Sequence, residues 1–268
     1  FDVTGQNALF PDMSVLDVAN EVFFTFVSLL LLFAMNTYVF GFNRQKAHIS
    51  WRKVLLSFVM TWCVNNLLGK GFVFLHHQFD IPAIDYTKGV HVENPDGIQA
   101  KEFVLPAELL ERDCVISLCK MKTHALERIT GAVKNSYGFI YGFHKAKGHT
   151  LYPSADSFAR MLVDLNQYVK PRLYIMDGIV AMEGNGPGSG DPAPMNVILM
   201  SQDPVALDSV FCHLIHLKPE MVPTNYHGEK MGLGTWKEEE IELLTPGGPI
   251  RMEDAVAQYG NPYFDVDR

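Results

Sequence analysis

The sequence contains few cysteines, and no two of them form a CxxC pair. The four cysteines are spread along the chain at Cys63, Cys114, Cys119 and Cys212. Zinc ribbons and ferredoxin-type clusters need closely spaced thiolate ligands. The spacing argues against both kinds of site, and no iron–sulfur cluster is expected within this chain.

Basic residues are also in the minority. The chain carries 22 lysines and arginines against 30 aspartates and glutamates, which gives a formal net charge of −8. Residues 1–75 contain four acidic and five basic side chains, so the acidic excess lies entirely in the remainder. Proteins that neutralise nucleic-acid phosphates carry a basic surface instead. We therefore expect no nucleic-acid partner.

Formal charge is absent from residues 22–43. This run is about as long as a helix must be to cross a bilayer core, and four cations follow it. A shorter apolar run covers residues 54–68. We predict one or two hydrophobic, membrane-spanning helices within residues 1–75, and a membrane or membrane-protein partner contacted through residues 22–68. A buried helix in a cytoplasmic protein is the alternative.

Short apolar runs alternate with amphipathic segments from residue 76 onward. The runs predicted as strands are residues 114–120, 172–178 and 196–200. One helix is predicted over residues 154–170 with Ser154 as its N-cap, and another is predicted to begin after Asp203. This alternation predicts an α/β domain over residues 76–268, with a mixed or parallel sheet and flanking helices.

A cluster of cations and histidines interrupts this acidic domain after the first predicted strand. Its members are Lys120, Lys122, His124, Lys134 and His149. Residues that would let a ligand approach the backbone lie among them, at Thr130, Gly131 and Asn135. Cations beside accessible amides suit a carboxylate or phosphate, and a desolvated lysine can act as a nucleophile or base. A solvated basic surface is the alternative interpretation.

Three carboxylates are placed to complete such a pocket. Asp177 is predicted at the end of a strand, and Glu183 lies in the loop expected after it. Asp208 follows the next strand, near a helix N-terminus. Functional loops of α/β sheets emerge at the carboxyl ends of the strands. We therefore predict that these carboxylates help to bind a substrate or cofactor.

Four motifs make the sequence recognisable. They are K-x-K-T-H at residues 120–124, T-G-x-x-K-N at 130–135, D-G-I-x-A-M-E-G-x-G-P at 177–187 and D-P-V-A-L-D at 203–208. In this order they resemble the family called domain of unknown function 362. Members of that family are often linked to ferredoxin modules in other chains, and this chain contains no such motif. The family's lysine–proline–asparagine segment is also absent from the sequence.

The spacing of His124, Lys134 and His149 is similar to that in lactate racemase and its nickel-pincer relatives. This more distant resemblance implies that Lys134 tethers a cofactor. It also implies that the two histidines bind a metal ion, nickel or iron, or transfer protons.

Two hypotheses follow for the function. The first is a metal-dependent enzyme, an oxidoreductase or isomerase, that acts on a small anionic molecule. Lys122, His124, Lys134 and His149 would be catalytic, and Lys120, Thr130, Gly131, Asn135, Asp177, Glu183 and Asp208 would bind substrate or cofactor. The second is a non-catalytic subunit of a membrane complex that keeps the family fold. The missing lysine–proline–asparagine segment and the long apolar run favour the second.

Overall fold

The computed structural model describes residues 86–266, together with the backbone of two short N-terminal strands. The chain divides into two compact units, Phe1–Ala83 and Ile84–Arg268. In the first unit, strands β1 (Gln6–Asn7) and β2 (Phe10–Ser14) pair in antiparallel fashion. The hydrophobic helices predicted within residues 22–68 lie outside the described residues. Among the helices that are described, none is both long and apolar enough to span a bilayer.

The second unit alternates strands and helices. Its strands are β3 (Gly89–Glu93), β4 (Glu102–Pro106), β5 (Ile116–His124), β6 (Arg128–Ile129), β7 (Leu173–Glu183), β8 (Asp191–Ser201), β9 (Leu243–Thr245) and β10 (Gly248–Ile250). Its α-helices are α1 (Ala107–Leu110), α2 (His144–Leu151), α3 (Ala155–Val169), α4 (Pro204–Leu214), α5 (Pro223–Lys230) and α6 (Met252–Tyr259). Turns of 3₁₀-helix cover Lys134–Phe139, Pro219–Met221 and Glu238–Glu240.

A four-stranded sheet forms the centre of this unit, in the order β6-β5-β7-β8. Strands β5 and β7 run parallel, whereas β6 and β8 pair antiparallel with their neighbours. The mixed α/β architecture expected from the sequence is therefore confirmed. The predicted N-caps are also confirmed, since the Ser154 side chain accepts the N–H of Ser157 and the Asp203 carboxylate accepts those of Val205 and Ala206.

The two central strands are longer than the sequence predicted. Strand β7 continues to Glu183 instead of ending at Gly178, because it pairs with β8 along its whole length. The register between β5 and β7 shifts in this region, so that Lys120 faces Asp177 while Lys122 faces Met182. Two predicted positions are therefore corrected. Asp177 lies within a strand, and Lys120 to His124 belong to β5 and not to a loop after it.

Two apolar clusters form the core of this unit. In the first, Met121 and Met176 from the sheet pack with Phe211 of α4. In the second, the apolar stripe of α3, including Phe158 and Leu162, packs with residues of β4 and of the first 3₁₀-helix. Burying each large side chain stabilises the fold by about 1.5–3 kcal/mol. This packing gives β5 and the segment after it a rigid support.

The opposite face of the sheet is apolar and exposed. The side chains that form it, called here the open sheet face, are Ile116, Leu118, Ile198 and Met200, with the pair Lys120 and Asp177 among them. Leu118 is 73% exposed and Met200 is 66% exposed. Lys120 Nζ lies 2.6 Å from Asp177 Oδ2. Sheets with parallel strands are normally covered on both faces, so an exposed apolar face of this kind is unusual.

Asp208 holds the segment that leads to Lys134. Its carboxylate is fully buried and accepts the backbone N–H groups of Ala132 at 2.5 Å and Val133 at 3.0 Å. Burial raises the pKa of Asp208 to about 7, although these two hydrogen bonds act in the opposite direction. Gly131 has φ +49°, and a Cβ built there would lie 2.1 Å from Asp208 Oδ1. The chain therefore needs glycine at this position.

We expect Gly131→Ala to lower the free energy of unfolding by about 2–4 kcal/mol, because the methyl group displaces the buried carboxylate and the positive φ is strained. Urea unfolding measures the loss. Gly138→Ala is the matched control, since no heavy atom lies within 4 Å of a Cβ built at Gly138. Equal stability of the two variants would contradict this role for Gly131.

Candidate active site at the carboxyl end of strand β5

His124 ends strand β5 and is held in one orientation by the turn that follows. Its Nδ1 atom accepts the backbone N–H groups of Leu126 and Glu127, both at 3.2 Å. The residue is 8% exposed. Burial, together with the nearby Lys134, His149 and Lys122, lowers the pKa of His124 to about 4. The imidazole is therefore neutral at physiological pH, and its Nε2 atom carries the proton.

This tautomer does not fit His124 as a metal ligand. A metal ion binds a ring nitrogen through its lone pair, but the lone pair of Nδ1 is already directed at two N–H donors. Nε2 is consequently a hydrogen-bond donor. Among residues 86–266, no group of three or more histidine, cysteine or carboxylate side chains is arranged to hold a metal ion.

The carboxyl group of Glu127 is buried in the same turn. Its side chain is completely inaccessible, and neither carboxyl oxygen has a partner within the described residues. Burial raises the pKa of Glu127 to about 8. The Lys134 cation acts to lower this pKa, and the negative charge of Asp156 acts to raise it. Glu127 is therefore largely a neutral carboxylic acid near pH 7. Buried polar groups are nearly always satisfied, so an unpaired one indicates a functional role or an absent ligand.

Lys134 begins the first 3₁₀-helix and is partly exposed. Within the described part of the chain, its ammonium group forms no hydrogen bond or ion pair. Burial lowers the pKa of Lys134 to about 8; the Lys122 and Lys145 cations also lower it, and Glu127 has the opposite effect. A substantial fraction of Lys134 is therefore a neutral amine at mildly alkaline pH.

Aromatic side chains pack against His149, one member of this cluster. The exposed His149 ring stacks on Phe158 with ring centroids 4.6 Å apart, and Tyr137 meets His149 edge-on at 5.4 Å. Tyr137 also donates a hydrogen bond to the backbone carbonyl of Lys145, which ties helix α2 to the 3₁₀-helix. Burial lowers the pKa of His149, and the Lys134 cation adds to this effect.

The four residues predicted as catalytic are linked by electrostatic interactions. Lys134 influences the protonation of both His124 and His149, and Lys122 influences that of His124 and Lys134. Lys122 Nζ also donates to the carbonyl oxygen of Pro187 at 3.5 Å. The cations thus surround the position at which β5 ends.

The residues predicted to bind the ligand are more dispersed. Lys120 and Asp177 pair with each other on the open sheet face. Glu183 accepts the backbone N–H of Asp265, and Asn135 donates to Ser117 and to the carbonyl of Leu118. Gly131 and Asp208 shape the loop before Lys134, while the buried Thr130 hydroxyl has no partner within the described residues.

Glu127 was missed by the sequence-based assignment. It is the single acidic residue between positions 119 and 135, in a stretch otherwise rich in cations. An isolated acidic residue within a basic segment is a signal by which Glu127 could have been found. If such a residue is buried, it acts either as an ion-pair partner or as an acid–base group. The sequence alone does not reveal that the carboxyl group is enclosed.

A separate open groove of about 660 Å³ lies at the other end of the sheet. It is lined by residues that include Asp164, Asn166 and Gln202. The buried Asp164 carboxylate already accepts three backbone N–H groups, from Ile98, Gln99 and Ala100. This part of the groove lining is therefore structural, and none of the cluster residues contributes to the groove.

The fold and site define a mixed α/β domain with a basic, histidine-containing cluster at the end of its central strand. The family model described as Domain of unknown function (DUF362) matches residues 65–213, more than half of the chain, and the chain belongs to this family. The family resemblance expected from the four motifs is confirmed. The likeness to nickel-pincer enzymes is not shown by these comparisons.

A curated relative is the thylakoid-associated protein sll1697 of Synechocystis sp.. The two sequences are 36% identical over 164 residues, which is 61% of this chain and 50% of the relative. The chain therefore spans about half the length of the curated relative that it matches. No solved structure matches the chain.

We expect Glu127→Gln to change the pH dependence of stability. The folded pKa of Glu127, about 8, is raised above the unfolded value of 4.5. The stabilising contribution of this group is therefore complete below pH 4.5 and is lost as the pH rises through about 8. Relative to the wild type, the variant should gain on the order of 3 kcal/mol between about pH 5 and pH 8.5.

Urea unfolding at both pH values measures this difference. The exposed Glu239→Gln is the matched control, and it should follow the wild type. A constant difference between the Glu127→Gln variant and the wild type across this pH range would rule out a buried, protonated Glu127.

Proposed function

We propose that the domain is an enzyme domain that binds a small anionic substrate at the carboxyl end of β5 and transfers a proton there. One observation carries the proposal: within residues 86–266, the fully buried carboxyl group of Glu127 and the partly exposed ammonium group of Lys134 have no hydrogen-bond partner, and each group influences the protonation of the other. Structural ion pairs satisfy their charges mutually, whereas these two groups leave their hydrogen-bonding capacity unused. Such groups are suited to a ligand that is bound during turnover.

The residues of the cluster can divide the work. Lys122 and Lys134 attract an anion and bind its oxygen atoms, which cations do strongly in a partly desolvated site. The Nε2–H of His124 donates a hydrogen bond to an oxygen on which charge develops. Glu127, with a pKa of about 8, can both give and accept a proton near neutral pH. Acid–base chemistry of this kind suits an isomerase.

The metal dependence inferred from the sequence is a separate proposal. His124 is directed away from that role by its two backbone donors. His149 is exposed, and its ring nitrogens make no hydrogen bond within the described residues, so it is the better placed of the two histidines. Nickel or iron bound here would need ligands in addition to His149.

Anion binding should depend on Lys134. We expect Lys134→Gln to weaken the binding of oxalate or inorganic phosphate about tenfold or more, because a charge-assisted contact in a desolvated site is lost. Isothermal titration calorimetry measures the dissociation constants. Lys147→Gln, on the exposed side of helix α2, removes the same charge away from the cluster and should bind normally. Equal losses in both variants would indicate attraction by overall charge alone.

A second candidate function is a docking subunit in a membrane complex. The open sheet face favours it, because this face presents Ile116, Leu118, Ile198 and Met200 without a covering layer in the second unit. The thylakoid-associated name of the relative adds weight to a membrane location. In this function the cluster at the end of β5 would be a remnant of the family site.

Leu118→Glu tests this second function. The substitution should release the chain from any complex seen on native electrophoresis of a mild detergent extract, because a carboxylate on the open sheet face would be desolvated on docking. Leu244→Glu is matched in exposure, at 70% against 73%, but lies on strand β9. Identical migration of the two variants and the wild type would exclude docking through this face.

A further inference from the structure

Helix α2 presents one stripe of exposed side chains to the solvent. Phe143 immediately precedes the helix and already has helical φ and ψ angles, so it belongs to the same stripe as the residues three, four and seven positions later. The stripe, called here the outer stripe of α2, consists of Phe143, Ala146, Lys147 and Thr150, and all four residues are exposed. Phe143 is 94% exposed.

The opposite side of α2 is held close to the domain. Gly148 is buried there, and a Cβ built on it would lie 2.2 Å from the hydroxyl oxygen of Tyr137. The same hydroxyl donates to the backbone carbonyl of Lys145. Gly142, with φ +49°, forms the turn before Phe143, and a Cβ built on it meets no heavy atom of the described residues within 4 Å. The outer stripe is therefore fixed in an orientation that faces away from the domain.

Positive charge surrounds this helix, although the chain as a whole carries −8. No acidic residue occurs between Glu127 and Asp156, and Asp156 pairs with His227 at 2.7 Å. Glu102 is a carboxylate near α2, but it raises the pKa of Tyr152, which lies about 13 Å along the helix from Phe143. Exposed charges farther away than about 8 Å are largely screened at physiological ionic strength. The cations and histidines of this segment are Arg128, Lys134, Lys145, Lys147, His144 and His149.

We propose that the outer stripe of α2 docks the domain on the surface of an anionic lipid bilayer. Phe143 enters the boundary between headgroups and acyl chains, while Lys145 and Lys147 bind headgroup phosphates. Aromatic side chains favour this boundary, and each lysine beside an anionic leaflet strengthens binding about fivefold. A single exposed aromatic residue is common on protein surfaces. The argument depends on its position within a basic segment that lacks acidic residues.

The dimensions of the helix favour a bilayer over a protein partner. Helix α2 has eight residues and is therefore about 12 Å long. A helix of this length covers much less than the roughly 800 Å² per partner of a stable protein interface. A bilayer needs no matching pocket, since acyl chains surround an inserted ring from every side. The inference goes beyond the proposed function, because it concerns where the domain is located and uses neither the open sheet face nor proton transfer.

Binding of the full chain to vesicles tests the inference. Vesicles of phosphatidylcholine with phosphatidylglycerol should bind the chain more tightly than vesicles of phosphatidylcholine alone, as measured by co-sedimentation. We expect Phe143→Ser to weaken binding to the anionic vesicles about tenfold, because the buried apolar area of the ring is lost. Lys147→Gln should weaken it about fivefold.

Two variants outside α2 are matched controls. Tyr263 is an aromatic residue that is 90% exposed, and Lys218 is an exposed lysine. They adjoin Phe264 and Leu217, which belong to the first apolar cluster and not to the second, against which α2 packs. Tyr263→Ser and Lys218→Gln should therefore bind vesicles as the wild type does. Equal losses in the two lysine variants, or unchanged binding of Phe143→Ser, would refute docking through α2.

A photoreactive residue reports contact at one position. With p-benzoylphenylalanine in place of Phe143, ultraviolet light should produce phospholipid adducts on anionic vesicles. The same residue in place of Tyr263 should produce none. A vesicle-bound chain without lipid adducts at position 143 would overturn the proposal, whichever other segment holds the chain there. Phe143→Ser should keep the oxalate affinity of the wild type, so vesicle docking and small-anion binding are tested independently.

Discussion

The buried carboxylate of Asp208 is the contact on which the arrangement of the site depends. It comes from helix α4 and holds the backbone of Ala132 and Val133, which would otherwise have unsatisfied N–H groups inside the domain. The small residue at Gly131 leaves space for it. Because Lys134 follows directly, the packing of α4 against the sheet determines where the backbone of Lys134 lies. Stability and chemistry are therefore coupled through one side chain.

Desolvation acts on three ionisable groups of the site in the direction that removes charge. It raises the pKa of Glu127 and lowers those of His124 and Lys134. A cluster of this kind is costly to the fold, because within the described residues the side chains of Glu127 and Lys134 lack the hydrogen bonds that normally compensate burial. The apolar packing around α3 and α4 supplies the stability that offsets this cost. Natural proteins retain such strain mainly where it serves binding or catalysis.

Much of the fold could be predicted from the sequence, because periodicity and capping are local properties. The α/β alternation and the caps at Ser154 and Asp203 follow from residue order alone. The end of β7 could not be predicted, since it depends on pairing with β8 beyond a shift in register. Glu127 was overlooked because its burial depends on the tertiary fold, which residue order does not show. Lys120 and Asp177 were predicted to bind the ligand; in the structure they pair with each other on the open sheet face.

The register shift between β5 and β7 has a consequence for how the family could vary. A step of two residues along β5, from Lys120 to Lys122, corresponds to a step of five residues along β7, from Asp177 to Met182. The extra residues extend β7 and carry the following loop to Lys122, where Pro187 accepts its hydrogen bond. Insertions or deletions at this irregularity would change how far β7 and the loop after it extend beside Lys122. The space beside Lys122 could therefore change in size without a change in any residue of the cluster.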